Sequence, residues 1–266
     1  GYVGAKSREE AARAEAAGLV AAAQRVVVLT GAGISTDSGI PDFRGKNGLW
    51  TRNPKAEQAS QIDVFLSDAS VRAANWRAMR DMTRSWKPSP NAGHRACVEL
   101  ERAGKLSLLV TQNVDGLHQQ AGSDPGLVVE VHGSLRHSQC LSCGHRERLE
   151  ETTLRVTDAA PEPSCSACGG GPLKASVVLF GEQLPEGAME RAIAEAQRAE
   201  VLVAVGSTLS VWPVAGVVPA AKRAGAKIII VNSGPTEMDV LADVRVDGSI
   251  SEALPRLLSS ERSARL

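Results

Sequence analysis

Four short apolar runs, each ending in a small or amide-bearing residue, constrain this chain more than any other feature: "RVVVLTG" (25–31), "LSLLVTQN" (106–113), "VLVAVGST" (201–208) and "KIIIVNSG" (227–234). A continuous β-branched and leucine run reads as a strand covered on both faces, because a half-buried strand would alternate apolar with polar residues. Stretches of helical composition lie around these runs, at about 7–24, 91–103, 186–199 and 212–224, with a last helix near 250–258. "DVRVDG" (243–248) fits a short terminal strand. Strands separated by helices require right-handed crossovers, so an α/β fold on a parallel sheet is expected.

Two stretches break the rhythm. Residues 46–88 carry Trp50, Phe65, Trp76 and Trp86 with polar helical spacing between them, and read as a small helical insertion. Residues 136–173 hold four paired cysteines and "CSACGGGP", a composition too poor in apolar side chains to fold without a staple. With 266 residues, size does not limit the core. The 30 basic and 30 acidic side chains balance, so no global field recruits nucleic acid or a membrane surface. No apolar run approaches the roughly 18 residues of a membrane span, and the charged, Ala-rich start lacks the layout of a signal peptide. A cytoplasmic protein is the expectation. The chain opens with Gly rather than Met, so Gly1–Ala5 is read as a remnant or an internal start and set aside from the fold.

In an open parallel sheet, ligands bind outside the carboxyl ends of the strands. Here those ends read Gly31-Ala32-Gly33, Gln112-Asn113-Val114-Asp115, Gly206-Ser207-Thr208 and Asn232-Ser233-Gly234. Glycine permits close backbone approach to a pyrophosphate, and hydroxyls and amides bond ribose and adenine edges. Any α/β protein ends some strands this way, but four such ends together with a Gly-Ala-Gly turn favour a nucleotide site. The dinucleotide fingerprint would need a third glycine at once and then a helix. Instead the next glycine is Gly39, Asp37 and Asp42 arrive too early for the ribose carboxylate, and "ISTDSGIPDFRG" follows, which disfavours an ordinary dehydrogenase. No G-K-[ST] follows the glycines, which excludes a P-loop. A polar, Pro-interrupted loop that folds over a bound cofactor is expected in place of the helix.

Of five histidines, His132 follows the apolar run "LVVEV" and precedes Gly133, where a chain would leave a strand into a cleft. A neutral imidazole there suits a general base, with Asn113 and Asp115 on an adjoining strand end able to orient a water and a ribose hydroxyl. His94 and His118 read as structural, and His137 and His145 as surface residues of the cysteine module. The pairs Cys140/Cys143 and Cys165/Cys168, each C-x-x-C and 21 residues apart, can place four thiolates tetrahedrally around Zn²⁺. Four cysteine ligands leave no open position, so the metal would be structural. Cys97 reads as a small buried hydrophobe.

Taken together, "GAGISTDSGIPDFRG", "TQNVDGLH", "VHGS", the two C-x-x-C units, "VVLFGEQLP", "VGSTLSVWPVAG" and "IIIVNSGPT" resemble, in order, the sirtuins, NAD-dependent protein lysine deacylases. The match runs from about Val26 to Leu258. It implies a Rossmann-type NAD-binding domain (1–45, 89–135 and 174–266), a helical insertion (46–88) and a zinc-binding module (136–173), with NAD and an acyl-lysine protein or peptide entering the cleft between them. By resemblance, Gly31, Ala32 and Gly33 approach the pyrophosphate, and Asp42, Phe43 and Arg44 cover the nicotinamide ribose and phosphates. Gln112, Asn113 and Asp115 line the nicotinamide side, with Asn113 and Asp115 counted beside the general base His132. Gly206, Ser207, Asn232, Ser233 and the backbone near Ile250 hold the adenosine half. Phe180, Gly181 and Glu182, with Leu209, Ser210 and Val211, pair with the substrate backbone and sheath its lysine. The implied reaction attacks the ribose carbon with the acyl oxygen and yields nicotinamide, free lysine and O-acetyl-ADP-ribose, water being excluded by a closing loop.

The chain departs from the family at Leu179, where an aromatic often precedes the Phe. Members that prefer acidic acyl groups carry a Tyr and an Arg three residues later; "ANWRAMRDM" has Arg77 and Arg80 at that spacing but no Tyr, which favours acetyl or another uncharged acyl group. Arginine far outnumbers lysine and alanine is abundant, pointing to a GC-rich, bacterial genome. Two other readings stay open: a mono-ADP-ribosyltransferase, and a non-catalytic NAD or ADP-ribose binding module.

Overall fold

The computed structural model describes residues 2–40 and 54–259. The chain runs α1 (Tyr2–Ala22), β1 (Val26–Thr30), a 3-10 helix (Ala32–Ser38), α2 (Pro54–Ala59), α3 (Ile62–Ser67), α4 (Ala69–Ser85), α5 (Ala92–Arg102), β2 (Leu106–Thr111), α6 (Leu117–Ala121) and β3 (Val128–Glu130). It continues through β4 (Gly133–Cys140), β5 (Arg146–Arg148), α7 (Leu149–Leu154), β6 (Leu173–Val177), α8 (Ala188–Arg198), β7 (Val201–Val205), α9 (Val217–Arg223), β8 (Lys227–Val231), β9 (Val244–Val246) and α10 (Ile250–Leu258).

The four apolar runs form the centre of a parallel sheet in the order β3-β2-β1-β7-β8-β9. Their continuous hydrophobicity follows from burial on both faces. Val26, Val28, Val203, Val205 and Ile229 pack with α1, α5 and α10, while Val27, Leu29, Leu202, Ala204 and Ile228 pack with α8 and α9. From β1 the chain builds outward through β2 to β3, then returns to the other side of β1 with β7. This reversal between β1 and β7 is where such sheets open a crevice.

A second, antiparallel sheet, β5-β4-β6, carries the paired cysteines. Its strands β4 and β6 run across positions 135/136 and 173/174, where the sequence reading places the module's edges. Trp76 of α4 is fully buried against Cys140, Leu149, Cys165 and Leu173, and its indole N–H donates to the Leu173 carbonyl at 3.2 Å. Arg72 bonds Glu162 at 2.5 Å and Arg80 bonds Asp158 at 2.9 Å, so the helical insertion and the cysteine module pack together.

Two expectations are corrected. Residues set aside at the start are helical from Tyr2, because no proline separates them from the run of good helix formers and a single Gly4 does not stop the helix, and Lys6 lies over the Tyr2 ring. After Gly31 the chain does not enter an open loop at once: Ala32–Ser38 form a 3-10 helix with Ile34 and Ser35 buried, which Gly39 ends in the left-handed region at φ 85°. Trp50 lies outside the described residues. Among the described residues, no helix is long and apolar enough to cross a membrane.

Gly133 has φ +80°, and an added Cβ would lie 2.1 Å from the Ser176 carbonyl oxygen; Gly39 has a similar φ but open space around it. Gly133→Ala should therefore cost more than about 3 kcal/mol in urea denaturation, and Gly39→Ala only about 1 kcal/mol, the backbone contribution alone. Equal losses at the two positions would contradict the packing described for Gly133.

Candidate active site at the strand ends

The carboxyl ends of the parallel strands are stitched into one row by backbone hydrogen bonds. Gln112 N–H reaches the Thr30 carbonyl at 2.9 Å, Gly31 N–H that of Val205 at 2.9 Å, Gly206 N–H that of Val231 at 2.9 Å, and Asn232 N–H that of Val246 at 3.1 Å. The sequence-predicted positions Gly31, Gln112, Asn113, Gly206, Ser207 and Asn232 thus share one edge of the sheet. The amide of Gln112 donates to Ser207 Oγ at 3.1 Å, bridging the β2 and β7 ends.

The glycines of this row serve one another. Gly33 N–H donates to the Gly206 carbonyl at 2.8 Å. A Cβ on Gly31 would meet Gly206 O and Ser207 Cβ at 2.8 Å, one on Gly33 would meet Gly206 Cα at 2.7 Å, and one on Gly206 would meet Ile34 N at 2.5 Å. Side chains are excluded because the start of the 3-10 helix lies against the end of β7. This part of the strand-end row is therefore made of backbone packed on backbone.

Beneath the row lies a chain of polar groups, two members of which, His94 and Ser35, the sequence reading did not place in the site. Asn91 N–H donates to His94 Nδ1 at 3.0 Å. An N–H can only donate, so the neutral imidazole keeps its proton on Nε2 and donates it to Ser35 Oγ at 3.1 Å. Ser35 Oγ in turn donates to Asp115 Oδ2 at 2.7 Å, and Asp115 Oδ1 accepts from Leu117 N–H at 2.9 Å. Asn113 is anchored beside them, donating to the Gly31 carbonyl at 3.0 Å. His118 meets Thr30 Oγ1 at 2.9 Å, and Thr30 donates to Thr111. Burial pushes the His94 pKa down to about 4 and that of His118 to about 3, so both stay neutral. Only the position of His94 in "SPNAGH", three residues after an Asn N-cap, hinted at this in the sequence.

His132 follows β3, as expected. Its Nδ1 lies 3.2 Å from the Gln112 carbonyl, which only accepts, so Nδ1 carries the proton and Nε2 keeps its lone pair. Burial lowers its pKa, outweighing the hydrogen bond to Gln112. On the substrate side of the prediction, Phe180 exposes 40% of its surface. Its backbone, however, is taken: the N–H donates to Ser60 and the carbonyl accepts from Ile62. Glu182 is likewise engaged within the chain, accepting from Leu179 N–H at 2.9 Å and facing Lys174 at 3.1 Å. Gly181, at φ +92°, has its Cβ direction toward Ile62. Across the β7 end, Leu209 is buried at φ 56°, Ser210 is exposed and bonded to Thr208, and Val211 is half-buried. On the β8 and β9 side, Ser233 is exposed, and Ile250 opens α10 with its side chain in the core. Asp42, Phe43 and Arg44 lie outside the described residues.

The four cysteine sulfurs lie within 4.8 Å of one another, with Cys140–Cys168 at 3.8 Å and Cys143–Cys165 at 3.7 Å. Tetrahedral Zn–S bonds of about 2.3 Å require S···S separations of about 3.8 Å. The cluster therefore fits a four-cysteine zinc site with no position left for water or substrate. Cys97 is fully buried on α5, its thiol pushed up to about 12 by burial. His145 is exposed, whereas His137 is half-buried in β4 opposite Arg148.

A nucleotide-binding α/β domain with an appended four-cysteine module is the class that this fold and site define. The Sir2 family model matches residues 31–213. A Streptomyces coelicolor relative, NAD-dependent protein deacetylase 2, is 43% identical over 233 residues, covering 88% of this chain and 96% of that protein. A solved structure of a Sir2 enzyme superposes with a TM-score of 0.83 at 40% identity, over 94% of this chain and 97% of that one. A Sir2 complex with a deacetylated peptide and 3′-O-acetyl-ADP-ribose has a TM-score of 0.81 at 32% identity, covering 92% and 96%. The chain belongs to the Sir2 family.

Two outcomes are expected. The purified protein should carry one zinc per chain by elemental analysis, and Cys165→Ser should lower the thermal midpoint by more than about 10 °C, since a structural zinc contributes folding free energy directly. A zinc-free protein of unchanged midpoint would contradict the site. His94 and His118 are neutral when folded and protonate near pH 6.5 when unfolded, so their share of stability is intact above about pH 6.5. As pH falls from there toward 4, each takes up a proton on unfolding and stability drops by up to about 1.4 kcal/mol per pH unit per histidine. Urea denaturation at pH 7.5, 6.5 and 5.5 measures this; a flat profile would mean that the pair is not buried.

Proposed function

We propose that this chain is an NAD-dependent protein lysine deacylase in which His132 is the general base. The observation that carries the proposal is the imidazole fixed by its Nδ1–H to Gln112, with the Nε2 lone pair free and a pKa lowered by burial, on the strand-end row that fits a nucleotide. NAD supplies an electrophilic ribose carbon with nicotinamide as leaving group. Everything else falls to the chain. Gly31, Ala32 and Gly33 bring backbone to the pyrophosphate; Gly206, Ser207, Asn232, Ser233 and Ile250 hold the adenosine half; Gln112, Asn113 and Asp115 line the nicotinamide side, and Asp42, Phe43 and Arg44 serve the nicotinamide ribose and phosphates. Ser35 and His94 keep the Asp115 carboxylate in one orientation. His132 Nε2 would accept a proton from a ribose hydroxyl of bound NAD, the task of a general base. The ring of Phe180, with Gly181, Leu209, Ser210 and Val211, sheathes the lysine. Residues 136–173 serve as a zinc-stapled module beside the insertion 46–88, and the protein works in the cytoplasm on acyl-lysine proteins or peptides.

An uncharged acyl group is favoured by the state of Arg80. Its guanidinium is bonded to Asp81 at 3.1 Å and Asp158 at 2.9 Å, and its side chain is only 11% exposed. An acidic acyl group would have to take it from two carboxylates.

Nicotinamide release should depend on an acetyl-lysine peptide, and His132→Ala should lower kcat/KM by at least about 100-fold. No peptide-dependent release over a panel of acyl groups would refute the deacylase reading; ADP-ribose attached to protein without deacylated lysine would select the transferase instead. Acetyl-lysine should exceed succinyl-lysine peptide in kcat/KM by about tenfold or more, equivalent to about 1.4 kcal/mol. The rate should fall with acid only as His132 protonates, below the ordinary histidine range, because its folded pKa is lowered and the neutral form is the base.

A further inference from the structure

The segment that leaves β6 is held on two sides. Val178 N–H donates to the carbonyl of His132 at 2.8 Å, and Gly133 lies opposite Val177 in the antiparallel register. Two residues on, Phe180 pairs with Ser60 and Ile62 at the α2–α3 junction of the helical insertion. Residues 177–182 are thus a strap that joins the base to the wall of the acyl-lysine site, and any change in the strap's path moves both.

The path is set by a lysine buried in the strand before it. Lys174 is 8% exposed, and its ammonium donates to the Ala175 carbonyl at 3.0 Å and the Val177 carbonyl at 2.6 Å while facing Glu182 Oε1 at 3.1 Å. An ammonium has three donors and no acceptor; two carbonyls accept from it and the Glu182 carboxylate balances its charge. The same Glu182 Oε1 accepts from Leu179 N–H at 2.9 Å, and Glu182 N–H closes the turn on the Leu179 carbonyl at 3.0 Å. One carboxylate oxygen therefore ties the far end of the strap to its middle and to the strand behind it. A buried, fully paired charge tolerates few alternative geometries, since displacing either partner strands the other.

We infer that Lys174 and Glu182 are a positioning pair that sets the course of residues 177–182, and through it the placement of His132 and the Phe180 ring for the acyl-lysine. Glu182 acts through this pair and not by touching the substrate. The inference rests on the deacylase reading.

The test compares Lys174→Met, Lys174→Arg and Glu182→Gln with the unaltered protein in peptide-dependent nicotinamide release, with ADP-ribose affinity measured by calorimetry. Lys174→Met should raise the KM for an acetyl-lysine peptide about tenfold and lower kcat, with ADP-ribose affinity held within about twofold. Lys174→Arg, which keeps charge and donors, should return to within about threefold of the unaltered protein. Should Lys174→Met fail to fold, Glu182→Gln carries the same expectation for the peptide, because it keeps an acceptor for Leu179 N–H and removes only the charge. Folded variants with unchanged peptide KM and kcat would overturn the inference. So would parallel loss of ADP-ribose binding in both variants, which would make the pair a matter of fold alone. An unaltered protein without activity on any acyl peptide would sink the deacylase reading; an active one with indifferent variants sinks only the positioning pair.

Discussion

The approach of two backbones, Gly31 to Gly33 against Gly206, is the contact on which the rest of this site depends. It lies at the reversal of the sheet between β1 and β7, and each Cβ direction there points into neighbouring main chain, at 2.5 to 2.8 Å. Because no side chain intervenes, the 3-10 helix after β1 can sit directly over the β7 end and bury Ile34 and Ser35. Ser35 then reaches Asp115 and His94, and the strand-end row gains its polar floor. The glycines act here by letting protein meet protein.

A second dependence joins the smaller part of the molecule to His132. The cysteine sheet has few apolar residues of its own, and its core is completed by Trp76 from the helical insertion, with Arg72 and Arg80 reaching across to Glu162 and Asp158. Its last strand runs on into the strap that bonds His132 through Val178. A metal that closes the module is therefore connected mechanically to His132, although four cysteine ligands leave it no open coordination position.

Much of the fold was legible because burial on both faces writes itself along the chain as uninterrupted apolar runs: Val26–Thr30, Val201–Val205 and the strands beside them stand where those runs stand. The helices missed by a few residues, as at Tyr2, where propensity outweighed the reason for setting the start aside. Ser35, His94 and Lys174 were not legible in the site, since nothing local distinguishes a histidine on an apolar helix face, or a lysine in a strand, from one with an ordinary role. Glu182 illustrates the same limit from the other side. The motif around it identifies the family, yet its carboxylate turns inward to Leu179 and Lys174.

Strand positions, the polar ends of those strands, the two C-x-x-C pairs and the order of motifs are properties of neighbours along the chain, set by periodicity and spacing, and the sequence by itself determined them. The tertiary structure alone decided which groups share a proton or a carbonyl. That Gln112 fixes the tautomer of His132, that Asn91 fixes that of His94, and that Glu182 belongs to Lys174 depends on which strand ends and turns meet in space, and hydrogen bonds between them are chosen by distance and direction, which no spacing along the chain encodes.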